Sequence, residues 1–262
     1  MVDINRDASA VTGGKAVVLA EPLDLSDLES IQRFAAAVKS EYKDRPIDVL
    51  INNAGRNTNG KCGKLDLLFQ SNFLGHFALT NHLLDKLKGG KIINLSSVMH
   101  HFSGDRPKNE EYWKSMALYH DPPAPETYSA SKLAAILFTI ELNRRYSPAM
   151  NIRSMAVNPG AVASDIWRGF PTILRVLFRF IYLTTRQGCS TTVAAAVKDD
   201  WSDDTFYLQP YWQAEGCASP HPVTEMLGPY VGYLPTKPRL PDDGGDEAAS
   251  ALWKISEELT RS

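Results

Sequence analysis

Short apolar segments alternate with amphipathic helical segments along most of the 262 residues, and this alternation constrains the fold more than any other feature. The segments that we interpret as strands are Ala16–Ala20, Val49–Asn52, Lys91–Leu95 and Arg153–Val157. Strands separated by helices form a parallel sheet that is covered on both faces. The sequence therefore predicts one α/β domain over residues 1–262, with a doubly wound, Rossmann-like parallel sheet.

Helix boundaries follow from capping and spacing. Ser26 and Glu29 have the spacing of a capping box, which predicts that a helix begins there. The other predicted helices are Leu65–Leu87, Thr127–Tyr146 and Glu247–Leu259, the last of them after a linker that starts at Pro241. Residues 98–126 contain four prolines and are interpreted as a long polar loop.

Charge and cysteine content exclude several classes of protein. A net charge of −2 gives no basic face for nucleic acid. Three cysteines without a paired spacing predict no disulfide framework and a reducing compartment. We found no secretory leader and no apolar run of membrane-spanning length, so we expect an intracellular protein that is cytoplasmic or peripheral on a membrane. The His100-His101 pair lacks a third ligand at suitable spacing, which predicts no metal site.

The pattern Tyr128-Ser-Ala-Ser-Lys132 carries the chemistry. A tyrosine and a lysine four residues apart lie on one helix face, where an ammonium group lowers the pKa of a phenol and suits it to proton transfer. Alone, the pair is weak evidence and reads equally as an exposed helix start. A second such pair, Tyr233 and Lys237, encloses Pro235 and is excluded from a regular helix.

Four further motifs accompany this pair in a fixed order. They are Asn52-Asn53-Ala54-Gly55 after one strand, Asn72 within a helix, Ser97 at a strand end and Asn158-Pro159-Gly160 at the next. Taken together, they resemble the short-chain dehydrogenase/reductase family, and most closely its retinol-dehydrogenase-like and WW-domain-oxidoreductase-like branch. The resemblance extends over roughly residues 13–260.

The resemblance implies a role for each catalytic residue. Tyr128 would be the general acid/base, and Lys132 would lower its pKa and hold the nicotinamide ribose. Ser97, rather than the adjacent Ser96, would hydrogen-bond the substrate oxygen, although a serine at a strand end also satisfies backbone groups. Asn72 would hold a water molecule that links Lys132 to solvent.

The resemblance also implies a dinucleotide site. Besides Tyr128 and Lys132, its residues would be Asp24, Asn53, Ala54, Gly55, Pro159, Gly160, Val162 and Ser164. Asp24 reads equally as a cap-region aspartate, and Gly55 as a turn glycine. The reaction implied is hydride transfer between NAD or NADP and an alcohol or carbonyl group of a lipophilic substrate that is retinoid-, steroid- or lipid-like.

One family feature is missing from the sequence. Family members open with a strand and the loop Thr-Gly-x-x-x-Gly-x-Gly, whereas Val11–Lys15 holds only Gly13 and Gly14 and follows no apolar strand. We interpret the chain as lacking the first two strands and the glycine-rich loop, which leaves Val49–Asn52 with an open apolar edge. We therefore expect this chain alone to be poorly folded or inactive and to bind either dinucleotide weakly. The alternative is a catalytically silent member, or a truncated isoform or gene model, that acts by protein interaction.

Residues 166–186 are predicted to form a lid over the substrate. An apolar stripe there is made by Leu174, Leu177, Phe178 and Ile181, and a basic face by Arg168, Arg175, Arg179 and Arg186. A basic amphipathic helix of this kind can lie on an anionic membrane, so 168–186 is a candidate for peripheral membrane contact. Packing on its own domain is an equal alternative, and a homo-oligomer stays open.

Overall fold

The computed structural model describes residues 21–104, 106–163, 182–211, 232–241 and 245–261. Several predictions lie outside these ranges: the strand Ala16–Ala20, the segment Val11–Lys15, the site residue Ser164 and residues 166–181 of the lid. Membrane contact through 168–186 therefore stays a prediction. Within the described ranges, every helix is too short or too polar to cross a membrane.

The centre of the structure is a five-stranded sheet of order β1-β4-β5-β6-β7. The strands in chain order are β1 (Val49–Asn52), β2 (Lys61–Cys62), β3 (Leu65–Asp66), β4 (Lys91–Leu95), β5 (Arg153–Val157), β6 (Tyr207–Tyr211) and β7 (Gly232–Pro235). Strands β1, β4, β5 and β6 are parallel, and β7 pairs antiparallel with β6. The bounds predicted for β1, β4 and β5 are confirmed, and so is the α/β class.

Helices flank the sheet. The α-helices are α1 (Leu28–Glu41), α2 (Leu67–Phe69), α3 (Gly75–Leu83), α4 (Glu110–Ala117), α5 (Thr127–Met150), α6 (Thr185–Gly188), α7 (Ser190–Val197) and α8 (Asp246–Thr260). A π-helical turn, Gln70–Leu74, joins α2 to α3, and 3-10 turns cover Leu84–Lys86 and Val98–Phe102. The single helix predicted over Leu65–Leu87 is therefore helical from Leu67 to Lys86 but changes its winding three times, and Leu65–Asp66 forms β3 instead.

Both faces of the sheet are buried, as the apolar strand sequences predict. Ile92 packs into a large core with α1, α3, α5 and α8, whereas its neighbour Ile93 packs into a smaller core beneath α7. Among the described residues, β1 has a strand neighbour on one side only, and Ile51 is 43% exposed.

Two local predictions were wrong. Helix α1 begins after Asp27, whose side chain accepts from the Glu29 N–H at 3.0 Å, while the Ser26 hydroxyl donates to Asp24 instead. Asp caps a helix as well as Ser does, so spacing could not separate them. The supposed loop 98–126 contains α4, which is capped by Asn109 through the Tyr112 N–H at 2.9 Å.

Strands β6 and β7 were not predicted because each contains a proline. Pro210 lies beyond the two residues of β6 that pair with β5, so its missing N–H costs no hydrogen bond to that strand. Pro235 ends β7 at the edge of the sheet. The described cysteines, Cys62 and Cys189, are free.

Candidate active site

Tyr128, Lys132 and Ser97 lie together at the carboxyl edge of the sheet. Tyr128 is in the first turn of α5 and Lys132 follows one turn later, while Ser97 follows β4 directly. The Ser97 side chain lies close enough to the Tyr128 hydroxyl to lower the pKa of that phenol. The Lys132 ammonium donates to the Leu95 carbonyl at 3.2 Å and lies 5.7 Å from the centroid of the Tyr128 ring. In parallel sheets, this edge is where ligands bind.

The two adjacent serines do different things. Ser96 is buried, and its hydroxyl donates to the main-chain carbonyl of Lys132 at 2.8 Å, which ties α5 to the end of β4. Ser97 faces Tyr128 and also accepts from the Met99 N–H at 3.3 Å. Ser97 therefore satisfies a backbone N–H group, as a serine at a strand end often does. Its hydroxyl still faces the Tyr128 phenol. Of the two serines, Ser97 is the one placed to act on a ligand.

Burial sets the protonation of this cluster. It raises the pKa of Tyr128 to about 12, and the nearby Ser97 hydroxyl offsets this rise only in part. Burial also lowers the pKa of Lys132 to about 8. The expectation that Lys132 lowers the Tyr128 pKa was wrong for this structure, because desolvation of the phenolate outweighs any effect of the ammonium. At neutral pH, Tyr128 is held as the phenol, the form that donates a proton.

Asn72 connects the loop after β1 to α5. It sits in the π-helical turn, a feature that often marks functional sites. Its amide oxygen accepts from the Arg56 N–H at 2.8 Å, and its amide nitrogen donates to the Arg56 carbonyl at 2.9 Å and to Ser131 at 3.3 Å. Ser131 in turn donates to the Tyr128 carbonyl at 2.7 Å. Asn72 thus joins the site through Arg56 and Ser131, neither of which sequence reasoning singled out.

The segment Asn53-Ala54-Gly55 is exposed at the end of β1, where a ligand can reach its backbone. A Cβ atom added at Gly55 would stand 3.3 Å from the Asn72 amide oxygen and 3.7 Å from the Lys132 ammonium. Gly55 therefore keeps open a space directly beside the catalytic cluster. This close approach is a stronger reason for glycine than an ordinary turn.

The remaining candidate dinucleotide residues lie at two places. Pro159 and Gly160 follow β5, where Gly160 has φ +79° and the buried Asn158 side chain accepts its N–H at 3.0 Å. Val162 forms a parallel bridge with Leu183. Asp24 is exposed, and hydrogen bonds from Ser26, helped by the charge of Arg56, lower the pKa of its carboxyl. The charge of Arg56 thus acts on Asp24, and Asp24 does not cap α1, whose N-cap is Asp27.

His100 lies one 3-10 turn after Ser97 and hydrogen-bonds its main-chain carbonyl. Its Nδ1 is 2.7 Å from the Ser97 carbonyl, and its ring is 1% exposed. Burial, with the neighbouring His101 and Arg239 adding to it, lowers the pKa of His100 to about 3. The ring is therefore neutral and donates through Nδ1. Within the described residues, no group of three His, Cys, Asp or Glu side chains could hold a metal ion.

Because the pKa of His100 is lowered in the folded state, we expect the unfolding free energy to fall in acid. The folded-state pKa of this residue lies below the value near 6.5 of an unfolded histidine, so its contribution is complete above pH 6.5 and is lost as the pH falls toward 3. Between pH 7 and 5, wild type should lose about 2 kcal/mol more unfolding free energy than His100→Asn, which keeps a donor near Nδ1. Urea unfolding at both pH values measures this. His120→Asn, at an exposed histidine, should behave like wild type; an equal loss in wild type and His100→Asn would contradict the assignment.

Known proteins match this chain over most of its length. A family model described as short chain dehydrogenase matches residues 4–106. Human retinol dehydrogenase 12 is 34% identical over 258 residues, which is 92% of this chain and 69% of that protein. Chicken WW domain-containing oxidoreductase is 36% identical over 268 residues, or 94% of this chain and 56% of that protein. Human retinol dehydrogenase 11 is 36% identical over 200 residues, covering 72% of this chain and 59% of that protein.

Solved structures give the same result. The crystal structure of an uncharacterized protein from Mycobacterium Paratuberculosis matches with a TM-score of 0.64 and 32% identity, over 97% of this chain and 80% of that one. An alcohol dehydrogenase from the archaeon Thermococcus sibiricus, complexed with 5-hydroxy-NADP, matches with a TM-score of 0.51 and 19% identity, which shows a shared fold. The chain spans less than two thirds of several curated relatives, among them 59% and 56% of the two proteins at 36% identity.

Proposed function

Because the chain belongs to the short-chain dehydrogenase/reductase family, we propose that it transfers a hydride between a nicotinamide dinucleotide and an alcohol or carbonyl group. The observation that carries the proposal is the placement of the Tyr128 and Ser97 hydroxyls against each other, with Lys132 one helical turn away. A catalytically silent role would not need this arrangement, and it is the less favoured alternative.

The side chains divide the work of such a reaction. When bound, the nicotinamide ring supplies or accepts the hydride. In the direction of carbonyl reduction, the Tyr128 phenol donates its proton to the substrate oxygen, consistent with a pKa of about 12 that keeps it protonated. Ser97 donates to the same oxygen and stabilises its developing charge. Lys132, with a pKa lowered to about 8, can exchange a proton near neutral pH and sits beside the space at Gly55.

The residues present fit a dinucleotide. The exposed backbone of 53–55 carries no side chain at Gly55, and Gly160 reaches a positive φ that brings its backbone close to the end of β5. Both stretches lie at the edge where Tyr128 and Lys132 are. Tyr128, Lys132, Asn53 to Gly55, Pro159, Gly160 and Val162 would hold the cofactor there, with Asp24 close to Arg56 on the same side. The described residues do not distinguish NAD from NADP.

We propose a lipophilic substrate. Relatives at 31–36% identity are named retinol dehydrogenases 11, 12 and 13, and retinol is an apolar alcohol. The apolar stripe of Leu174, Leu177, Phe178 and Ile181 would supply matching contacts from the lid, although it lies outside the described residues. Turnover of a retinoid aldehyde, a long-chain aldehyde and a steroid ketone, compared with that of acetaldehyde, tests the class. Preference for acetaldehyde would contradict it.

Dinucleotide binding by the 262-residue chain should be weak, because no glycine-rich loop is recognisable before residue 21. For comparison we define a loop chimaera, in which the first two strands and the glycine-rich loop of a family member precede Ala16. Backbone N–H groups at a helix N-terminus bind the pyrophosphate, so we expect the chimaera to bind NADH or NADPH about a hundredfold more tightly. Fluorescence titration with both cofactors measures this. Saturable micromolar binding by the 262-residue chain would contradict the expectation.

A further inference from the structure

A buried histidine touches the loop that faces the proposed dinucleotide site. His76 is in the first turn of α3 and is 7% exposed. Its Nε2 lies 2.8 Å from the carbonyl oxygen of Ala54, and its Nδ1 has no hydrogen-bond partner among the described residues. A carbonyl oxygen only accepts, so Nε2 carries the proton and donates it. The ring is thus fixed in one tautomer.

The surroundings keep His76 neutral. Burial lowers its pKa to about 4, and the nearby Lys132 ammonium acts in the same direction. Protonation would add an N–H at Nδ1, where the described residues offer no acceptor. The ring is therefore a permanent single donor to the Ala54 carbonyl at neutral pH.

His76 works from the same helical segment as Asn72, one turn further along the chain. Asn72 holds both backbone groups of Arg56, on one side of Gly55, and His76 holds the carbonyl of Ala54, on the other side. Gly55 itself has no side chain with which to fix the loop. Asn72 and His76, which lie on one helical segment, thus fix the backbone of residues 54–56 at two points.

The helical segment that carries Asn72 and His76 is itself packed tightly against its neighbours. Its contacts can therefore fix the position of the loop. A Cβ atom added at Gly75 would stand 2.3 Å from the Leu25 carbonyl oxygen, which shows how closely the start of α3 packs on that backbone. Gln70 donates to the same carbonyl at 3.3 Å. The helix cannot rotate away from the loop without breaking this packing.

We propose that His76 is a positioning residue of the dinucleotide site, which fixes with Asn72 the backbone of residues 54–56 against which the cofactor lies. The inference rests on the proposed function. It assigns to His76 no contact with cofactor or substrate; the residue acts through the Ala54 carbonyl.

The test compares His76→Gln, whose amide nitrogen can stand near the position of Nε2, with His76→Leu, which has no donor. His82→Leu is the matched control, since His82 is on the same helix and exposed. All are made in the 262-residue chain. In wild type, histidine-selective ¹⁵N NMR should show the Nε2–H tautomer for His76 and no titration between pH 5 and 8, whereas His82 titrates.

Two readouts then separate positioning from general stability. His76→Leu should speed amide hydrogen exchange at residues 53–56 about tenfold, with His76→Gln close to wild type. NMR titration with NADH and NADPH to millimolar concentration should give a dissociation constant raised about five- to tenfold in His76→Leu and restored in His76→Gln. His82→Leu should leave both quantities unchanged.

The outcomes distinguish the inference from the function beneath it. If wild type binds dinucleotide and His76→Leu binds it equally well, the inference is overturned and the proposed function stands. The same holds if exchange at residues 53–56 is unaffected. If neither the 262-residue chain nor the loop chimaera binds dinucleotide at millimolar concentration, the proposed function fails, and the inference fails with it.

Discussion

Replacing Tyr128 with phenylalanine is expected to reduce hydride transfer by about 10²–10⁴-fold, the usual contribution of a positioned general acid. The substitution removes one oxygen atom, the one that faces Ser97, and leaves the ring in place. Dinucleotide affinity should stay within about twofold, because the other candidate contacts, at Gly55 and Gly160, are unchanged. The loss should therefore appear in kcat and leave the dissociation constant of the cofactor almost unaltered.

The assay uses the loop chimaera, so that cofactor binding does not limit the rate. Tyr146→Phe is the matched control, since Tyr146 is on the same helix, α5, with its ring 6.0 Å from that of Trp253. Its activity should equal that of the parent. Steady-state rates for Tyr128→Phe within about threefold of the parent would rule out Tyr128 as the proton donor.

Replacing Trp253 with alanine should cost about 3–5 kcal/mol of unfolding free energy, as large aromatic deletions in a core do. The Trp253 ring, on α8, is 3% exposed and lies 5.0 Å from Phe77 and 5.8 Å from Phe138. The Arg145 guanidinium stacks 4.4 Å from it, and its indole N–H donates to Glu257 at 2.9 Å. Because Phe138 and Arg145 belong to α5, α8 supports the helix that carries Tyr128 and Lys132.

Chemical denaturation of the 262-residue chain and its variants measures this loss. Phe102→Ala, at an aromatic side chain that is 51% exposed, is the control and should cost less than about 1 kcal/mol. Trp253→Phe should fall between wild type and Trp253→Ala. A loss below about 1 kcal/mol for Trp253→Ala would mean that α8 is an appendage after the linker rather than part of the domain.

Strands β1, β4 and β5 were predictable because each is a short apolar run, which is the pattern of a buried strand. β4 and β5 are apolar runs with both faces covered, and β1 is a similar run although its Ile51 is 43% exposed, so the apolar run alone was sufficient to identify each strand. Helix α4 was missed because it lies in a polar stretch between prolines, and what buries it is distant in sequence. Its Trp113 is fully buried and donates to the Ala248 carbonyl of α8 at 3.1 Å, a contact that spacing cannot reveal.

The candidate site shows the same division. Ser97, Tyr128 and Lys132 could be named from the order of their motifs, and the structure brings them together. The raised pKa of Tyr128 could not be predicted from the sequence, because the spacing of a tyrosine and a lysine does not show how deeply the phenol is buried. The supporting contacts from Ser96 to Lys132 and from Asn72 to Arg56 were also out of reach, since they join a side chain to a backbone group.

Isotope transfer tests the central claim most directly. The loop chimaera is incubated with NADH and NADPH that carry deuterium at the transferable position of the nicotinamide ring, together with a retinoid aldehyde, a long-chain aldehyde or a steroid ketone. We predict that at least one alcohol product carries deuterium on its carbinol carbon, and that Tyr128→Phe reduces the labelled product about a hundredfold or more. Unlabelled product throughout, or labelled product at the same rate with and without the Tyr128 hydroxyl, would contradict the account.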